Sequence, residues 1–452
     1  MRTISKLPAC NQMKIVMKDK KIIVIGGGFA GINFAKYLGN KKGVQVTLVD
    51  KNNYNFFPPL LYQLATGMLD VSSISIPFRT LFNGKDNLHF RLGELKKVIP
   101  EARKIILSTG EMSYDYLVIA TGTKSNYFGM ENIEKNALPM KSVNDAIKLR
   151  NYLIMEGEKY SFCTDEDEKR KMRNIVISGA GPSGVEIAGM IAEMRNRKLE
   201  NIYPELEEEA LNIYLVDAAP TVLPPMSKKS QKYSKESLEN LGINVKLNTM
   251  VADYKDDKVI FKNGEMIETK TLIWTAGVTA IKFDGIPDDY YEKGNRLVVD
   301  AFNKIVGSDS IFAIGDSCIQ KTDPDWPEGH PQLGSVAQQQ GKALAKNFTR
   351  MVKDRELEPF SYLDKGTMAI IGDKKAVADM TFPKTTLTGF FAWMAWLFVH
   401  LFLLVDYRNK WKTFWNWANT YIGKGNSQGI MVGENVYENL VMTTPMEMNE
   451  NK

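Results

Sequence analysis

Lys21-Ile22-Ile23-Val24-Ile25-Gly26-Gly27-Gly28-Phe29-Ala30-Gly31 decides the fold. The unbroken apolar run at 22–25 is the pattern of a strand buried on both faces, as in a parallel sheet. Gly26-x-Gly28-x-x-Gly31 follows at once, and Ile32, Ala35 and Leu38 then recur at helical spacing. In such a turn the first glycine permits the tight bend and the second lets the backbone approach a pyrophosphate. The third lets helix pack on strand, and the helix N-terminus faces the phosphates. A second strand at 44–49 ends in Asp50, 24 residues after Gly26. A carboxylate there accepts hydrogen bonds from an adenosine ribose.

The design returns once. Asn174-Ile175-Val176-Ile177-Ser178 runs into Gly179-x-Gly181-x-x-Gly184, and a helical pattern follows through Val185, Ile187, Ala188, Ile191 and Ala192. A strand over 211–216 then ends at Asp217, 38 residues after Gly179. The usual spacing is about 20, and residues 195–209 read as an insertion that makes up the difference. Ala218, Ala219, Pro220 and Thr221 follow with no cation, so a ribose 2′-phosphate would meet a carboxylate alone; NADH is expected rather than NADPH. Two such units imply two dinucleotides that meet, and the pair that exchanges a hydride is FAD with a nicotinamide. The expected fold class is α/β, with two Rossmann-like dinucleotide-binding domains and a C-terminal amphipathic helical membrane anchor.

Composition bounds the alternatives. A chain of 452 residues holds two or three domains. Hydrophobic residues at 44% and charged residues at 25% exclude a disordered chain, a collagen and a coiled coil. A net charge of +5 implies no nucleic-acid partner. Cys10, Cys163 and Cys318 are too few for a disulfide scaffold or a cysteine zinc site, and three histidines do not make a metal centre, so no metal is expected. Residues 1–20 lack the apolar core of a signal peptide, and no stretch reaches 18 uninterrupted apolar residues, so no transmembrane helix is expected. The run Asp165-Glu166-Asp167-Glu168-Lys169-Arg170-Lys171 reads as a solvated helix face or loop.

Tyr114-Asp115-Tyr116-Leu117-Val118-Ile119-Ala120-Thr121-Gly122 resembles the ATG segment of two-dinucleotide-domain flavoproteins, and Ile311-Phe312-Ala313-Ile314-Gly315-Asp316 resembles their GD motif. The resemblance implies an FAD site made of Gly26, Gly28, Gly31, Asp50, Ala120, Thr121, Gly122 and Ala337, with Asp316 on the ribityl chain. The paired redox cysteines of that superfamily's disulfide reductases are missing. Within it, residues 53–67 (Asn-Tyr-Asn-Phe-Phe-Pro-Pro-Leu-Leu-Tyr-Gln-Leu-Ala-Thr-Gly), 179–193, Leu272-Ile273-Trp274-Thr275-Ala276-Gly277-Val278, 330–341 and the aromatic tail resemble type II NADH:quinone oxidoreductases. That family implies Glu186 beside the nicotinamide, with Gly179, Gly181, Gly184, Asp217, Ala276 and Gly277 on NADH. Its AQxAxQ pattern walls a quinone pocket and aligns with Gly334-Ser335-Val336-Ala337-Gln338-Gln339. Ala337 and Gln339 match, Ser335 replaces the first Gln, and a second register starts the pattern at Ala337-Gln338. Lys365 matches a basic residue at the pocket, where a cation stabilises charge developing on a quinone.

The tail carries five of the seven tryptophans: Trp393, Trp396, Trp411, Trp415 and Trp417. Residues 390–405 are apolar except His400 and reach about 24 Å as a helix, short of a ~30 Å hydrocarbon core. Arg408, Lys410 and Lys412 follow, with Trp411, Phe414, Trp415, Ala418, Tyr421 and Ile422 at helical spacing. Such crowding suits a monotopic anchor lying on a bilayer, and the apolar surface also permits a homodimer.

The motif order divides the chain into a tail (1–19), an FAD-binding domain in two parts (20–140 and 277–384, the second with quinone-site elements), an inserted NADH-binding domain (141–276), anchoring helices (385–424) and a tail (425–452). The expected activity is a non-proton-pumping NADH:quinone oxidoreductase, with catalytic Glu186, Gln339 and Lys365, quinone contacts from Ser335 and Gln338, and menaquinone or ubiquinone as acceptor. It would sit on the cytoplasmic face of a bacterial inner membrane. Two alternatives stay open: a sulfide:quinone oxidoreductase, which needs paired cysteines, and a flavin-bearing, NADH-sensing interaction protein.

Overall fold

Lys20–Ile25 (β1) is apolar on both sides because both of its faces are covered. Ile22 and Val24 join one core with Ile32, Ala35 and Leu38 of the helix Phe29–Leu38 (α1), while Ile23 and Ile25 join another on the opposite face. Val44–Asp50 (β2) pairs with β1 in parallel, and Leu88–Leu92 (β3) lies beyond β2. Tyr116–Ile119 (β4) takes the other side of β1. The computed structural model describes residues 19–197, 211–421 and 431. Residues 1–18, 198–210, 422–430 and 432–452, which include most of both expected tails, Ile422 and most of the 195–209 insertion, lie outside the described residues.

The second parallel sheet is inserted before the first is complete. It consists of Leu138–Pro139 (β5), Asn174–Ser178 (β6), Asn212–Val216 (β7), Ile243–Lys246 (β8) and Thr271–Trp274 (β9), in the order β5-β9-β6-β7-β8. This sheet already includes β5, just before the expected boundary at 141. The chain then returns through Ile311–Ala313 (β10), which pairs beside β4 and closes the first sheet as β10-β4-β1-β2-β3. In each sheet the glycine-rich turn therefore follows a central strand, at the carboxyl ends where ligands of such sheets bind. The charged run 165–171 supplies the Asp165 cap and the first six residues of a helix, Glu166–Arg173, laced with i,i+3 ion pairs.

Four more helices and one antiparallel sheet shape the site. Pro182–Arg197 (α2) follows β6. Gly334–Val352 (α3) packs across α1, so closely that a Cβ on Gly341 would stand 2.3 Å from the Ala30 carbonyl oxygen. Thr367–Gly372 (β11), Lys375–Met380 (β12) and Thr385–Thr388 (β13) form an antiparallel sheet lying against α2. Phe390–Leu403 (α4) and Tyr407–Tyr421 (α5) end the described chain. Among the described residues no helix is long and apolar enough to cross a membrane.

Candidate functional site

The first turn has the geometry its glycines imply. Gly26 holds φ at +100°, and a Cβ there would meet the Ala120 carbonyl at 2.4 Å and Thr121 Cα at 2.9 Å. Gly31 lies against the Gly26 carbonyl, where a Cβ would stand 1.9 Å away. At Gly28 nothing lies within 4 Å of the Cβ position, so the helix N-terminus opens at the position reserved for a phosphate. Asp50 accepts hydrogen bonds from the Gly27 amide at 2.7 Å and the Asn52 amide at 2.8 Å; burial nevertheless pushes its carboxyl upward. Asn55, which sequence reasoning did not single out, donates its Nδ2 to the Gly27 carbonyl at 2.7 Å and locks the turn.

The second turn repeats these relations. Gly179 holds φ at +108° against the Thr275-Ala276 backbone, and Gly184 lies against the Gly179 carbonyl. Gly181 faces open space. Asp217 accepts from Ala180 at 2.5 Å and Ala219 at 2.7 Å. Ala120-Thr121 and Thr275-Ala276 are thus equivalent parts of the two halves. Gly277 departs from the equivalence: a Cβ there would stand 2.7 Å from Phe128 Cζ, whereas Gly122 is open.

The residues fit FAD at the first turn. Thr121 Oγ1 is buried with no hydrogen-bond partner. No described residue donates to the Asp316 carboxylate, which burial pushes upward and which Lys141 and Arg296 oppose electrostatically. Gln340 Oε1 accepts from the Gly315 amide at 2.7 Å, and Gln332 Nε2 donates to the Asp316 carbonyl at 3.0 Å, so two amides shape this turn. Neither glutamine was singled out from sequence. The run Gln338-Gln339-Gln340 was the available signal, but it gives no rotation about the helix.

Glu186 lies on α2 and is almost wholly buried. Burial pushes its carboxyl well above the usual range, opposed by a hydrogen bond from the Ile370 backbone on β11. Tyr62 stands close enough to feel its charge. Tyr62 OH accepts from Gln63 Nε2 at 2.8 Å, and Gln63 Oε1 accepts from Trp417 Nε1 at 2.7 Å. Glu186 therefore sits where the second sheet, the 61–65 turn and the C-terminal unit converge, linked by side chains to α5.

The expected quinone residues gather around one strap, residues 360–366. Gln339 exchanges two hydrogen bonds with the Leu363 backbone, at 2.9 and 3.1 Å. Ser335 Oγ lies 2.8 Å from Tyr362 OH, and Ala337 packs near Gly315. Lys365 is exposed at the end of the strap. Gln338 is half-buried, and its amide makes no hydrogen bond to a described residue. Buried Asp323 and His330 pair at 2.9 Å beneath the strap and were missed from sequence because six residues of loop lie between them.

The terminal helices divide by face. On α4, Trp393, Trp396 and His400 point inward, and His400 stacks on Trp396 with centroids 3.8 Å apart. Phe391, Phe398 and Phe402 are exposed at 74, 72 and 70%. On α5, Asn409 donates to the Ser72, Ser73 and Ser75 carbonyls and Thr413 donates to that of Ser73, while Tyr407, Trp411, Phe414 and Trp415 are exposed. Two of the three expected head-group cations are engaged internally: Lys410 with the Phe402 carbonyl at 2.8 Å, and Lys412 with Ser72 Oγ at 3.3 Å. Cys318 is buried and its thiol is pushed up to about 12, while Cys163 lies elsewhere, bonded to the Asp165 carbonyl.

Comparison with known proteins agrees with this geometry. Residues 20–341 match the pyridine nucleotide-disulphide oxidoreductase family model, and residues 365–424 match the NDH2 C-terminal domain. The type II NADH:quinone oxidoreductase NdhA of Mycobacterium tuberculosis is 32% identical over 94% of this chain and 92% of its own length. The type II NADH:quinone oxidoreductase of Haemophilus influenzae is 31% identical over 84% of this chain and 92% of its own length. Among solved structures, NDH2 from Plasmodium falciparum in complex with NADH superposes with a TM-score of 0.84 at 23% identity, covering 91% of this chain and all of that one. The fold of the sulfide:quinone oxidoreductase from Aquifex aeolicus is more distant, with a TM-score of 0.67 at 20% identity. The chain belongs to the type II NADH:quinone oxidoreductase family.

Proposed function

We propose that the protein oxidises NADH and reduces a membrane quinone without moving charge across the bilayer. FAD, when bound, accepts the hydride from NADH and delivers two electrons to the quinone. Residues 20–140 and 277–384 hold FAD through Gly26, Gly28, Gly31, Asp50, the Ala120-Thr121-Gly122 segment, Asp316 and Ala337. Residues 141–276 hold NADH through Gly179, Gly181, Gly184, Asp217, Ala276 and Gly277. Asp217, with no cation beside it, favours a free ribose over a phosphorylated one. Glu186 lies at the meeting of the two halves as a desolvated carboxyl that can hold a proton beside the nicotinamide.

The quinone side belongs to the strap and the start of α3. Gln339 fixes the strap, leaving Gln338 and Ser335 as the polar groups for a carbonyl and Lys365 as the nearby cation. The protein associates peripherally with a membrane; the exposed aromatic faces of residues 385–421 lie against the lipid. The cytoplasmic face of a bacterial inner membrane is the surface we assign. Sulfide chemistry is disfavoured, because Cys318 is a buried thiol held by Gly315 and Gln340, with no cysteine partner among the described residues.

The observation that carries the reading is the doubled cradle, each with a left-handed first glycine, an open second glycine and an aspartate on the following amide. Anaerobic stopped-flow on detergent-purified holoprotein tests it. NADH should bleach the flavin rapidly, NADPH and sulfide should not, and a menaquinone analogue should restore the colour. Bleaching without quinone-driven recovery would overturn the proposal.

A further inference from the structure

The strap holds one group that the scheme above does not use. Tyr362 is buried, with its ring against Trp326 at 5.6 Å and His330 at 6.0 Å. Its backbone amide donates to Asp323 Oδ2 at 3.0 Å, and that oxygen is also the one paired with His330. The phenol therefore has little freedom. Its oxygen lies 2.8 Å from Ser335 Oγ and, at the long limit, 3.5 Å from Asp364 Oδ1. Ser335, Tyr362 and Asp364 form a chain from the first turn of α3 to a half-exposed carboxylate. A hydroxyl–hydroxyl hydrogen bond has no fixed polarity, so a proton can be handed along it in either direction.

We propose that Ser335, Tyr362 and Asp364 form a proton relay from solvent to the quinone, with Ser335 making the final transfer. The inference rests on the strap being the quinone site. The overall reaction is NADH + H⁺ + quinone → NAD⁺ + quinol. The hydride carries two electrons and one proton, and the second proton must come from solvent. As the quinone oxygen gains it, the Ser335 O–H bond breaks and Ser335 takes the proton of Tyr362. Tyr362 is refilled from water by way of Asp364, and every relay group ends unchanged. A serine in place of the glutamine that the family pattern expects has a chemical consequence here. A carboxamide can donate a hydrogen bond but does not pass a proton on at neutral pH, whereas a hydroxyl can do both. Burial pushes the phenol upward, so Tyr362 holds its proton between turnovers.

The test compares acceptors that do and do not take up protons. The holoprotein is assayed anaerobically with NADH and either menadione or ferricyanide, a one-electron acceptor that needs no proton. Tyr362→Phe keeps the ring and cuts the chain, and Ser335→Ala removes its end. Each should lower kcat for menadione by roughly 100-fold, the scale of a lost acid–base group. The double variant should lose no more than either single one, because both interrupt the same relay. Ferricyanide reduction should stay within about twofold, and the solvent isotope effect on menadione turnover should rise. Asp364→Asn, at the half-exposed end, keeps an oxygen to accept the 2.9 Å hydrogen bond from the Gly366 amide and should give an intermediate loss. Menadione turnover preserved in a single variant, losses that multiply in the double, or an equal loss with ferricyanide would each overturn the relay. Failure of the wild type to reduce menadione at all would instead remove the quinone reading beneath it.

Discussion

Replacing Gly189 with alanine sets two effects of opposite sign against each other. Gly189 is inside α2, where alanine is favoured over glycine by about 1 kcal/mol. A Cβ there would stand 1.7 Å from the Ile371 carbonyl oxygen of β11, whereas real Cβ contacts essentially never fall below 3.0 Å. The obstacle is backbone in a paired strand, so helix and sheet must separate by at least 1.3 Å. That separation stretches the hydrogen bond from Ile370 to Glu186 and the 3.0 Å bond from the Asp373 amide to Glu193 Oε1, each on the same face of α2. The bond to the desolvated Glu186 carboxyl contributes about 0.5–1.5 kcal/mol, that to the Glu193 carboxylate about 1.5–3, and overpacking adds about 1–3. Partial loss of these terms outweighs the gain in propensity, and a net destabilisation of about 3 kcal/mol is expected. Differential scanning fluorimetry on holoprotein should show the melting temperature falling by about 3 °C, from an unfolding entropy of about 2 cal/mol/K per residue over the whole chain. An unchanged or raised Tm would refute the close docking of α2 on β11.

Three further outcomes follow from side chains already described. The imidazole of His400 is lowered to about 4 by burial against Trp396, so its stabilising neutrality is complete above pH 6.5 and lost as pH falls from there toward 4; His400→Phe should flatten that acid limb of Tm by about 3 kcal/mol equivalent. Trp417→Phe strands Gln63 Oε1 in a wholly buried position and should cost about 1–3 kcal/mol, seen as a lowered thermal midpoint. Phe398→Asp with Phe402→Asp removes two of the most exposed rings of α4 and should weaken co-sedimentation with anionic vesicles more than about tenfold while leaving NADH-driven ferricyanide reduction intact.

The two dinucleotide halves were legible because their signals are local. An apolar run, three glycines and a terminal aspartate fall within about 40 residues of each other, and each part has one structural use. The environment of Glu186 was not legible in the same way: its carboxyl meets Ile370, 184 residues away, and no spacing rule reports such a contact. The α4 stretch is apolar all round, so sequence gave no phase; only packing separates inward Trp396 from outward Phe398. On α5 polar and aromatic residues alternate at helical spacing, and the outward face comprising Trp411, Phe414 and Trp415 could be read directly. The glutamines at 338–340 show the limit most sharply, because three identical side chains make three different sets of contacts.

Those glutamines also act as a clamp on azimuth. Neighbouring helix residues point about 100° apart. Gln340 grips the Gly315 turn on one side of α3, while Gln339 grips Leu363 on another. Rolling the helix about its axis would slacken one grip as it crowded the other. A one-residue insertion before Gln339 would release both at once. The helix thus has no torsional play where Ser335 and Gln338 emerge, and a planar substrate arriving there meets hydrogen-bonding groups already set at a fixed bearing.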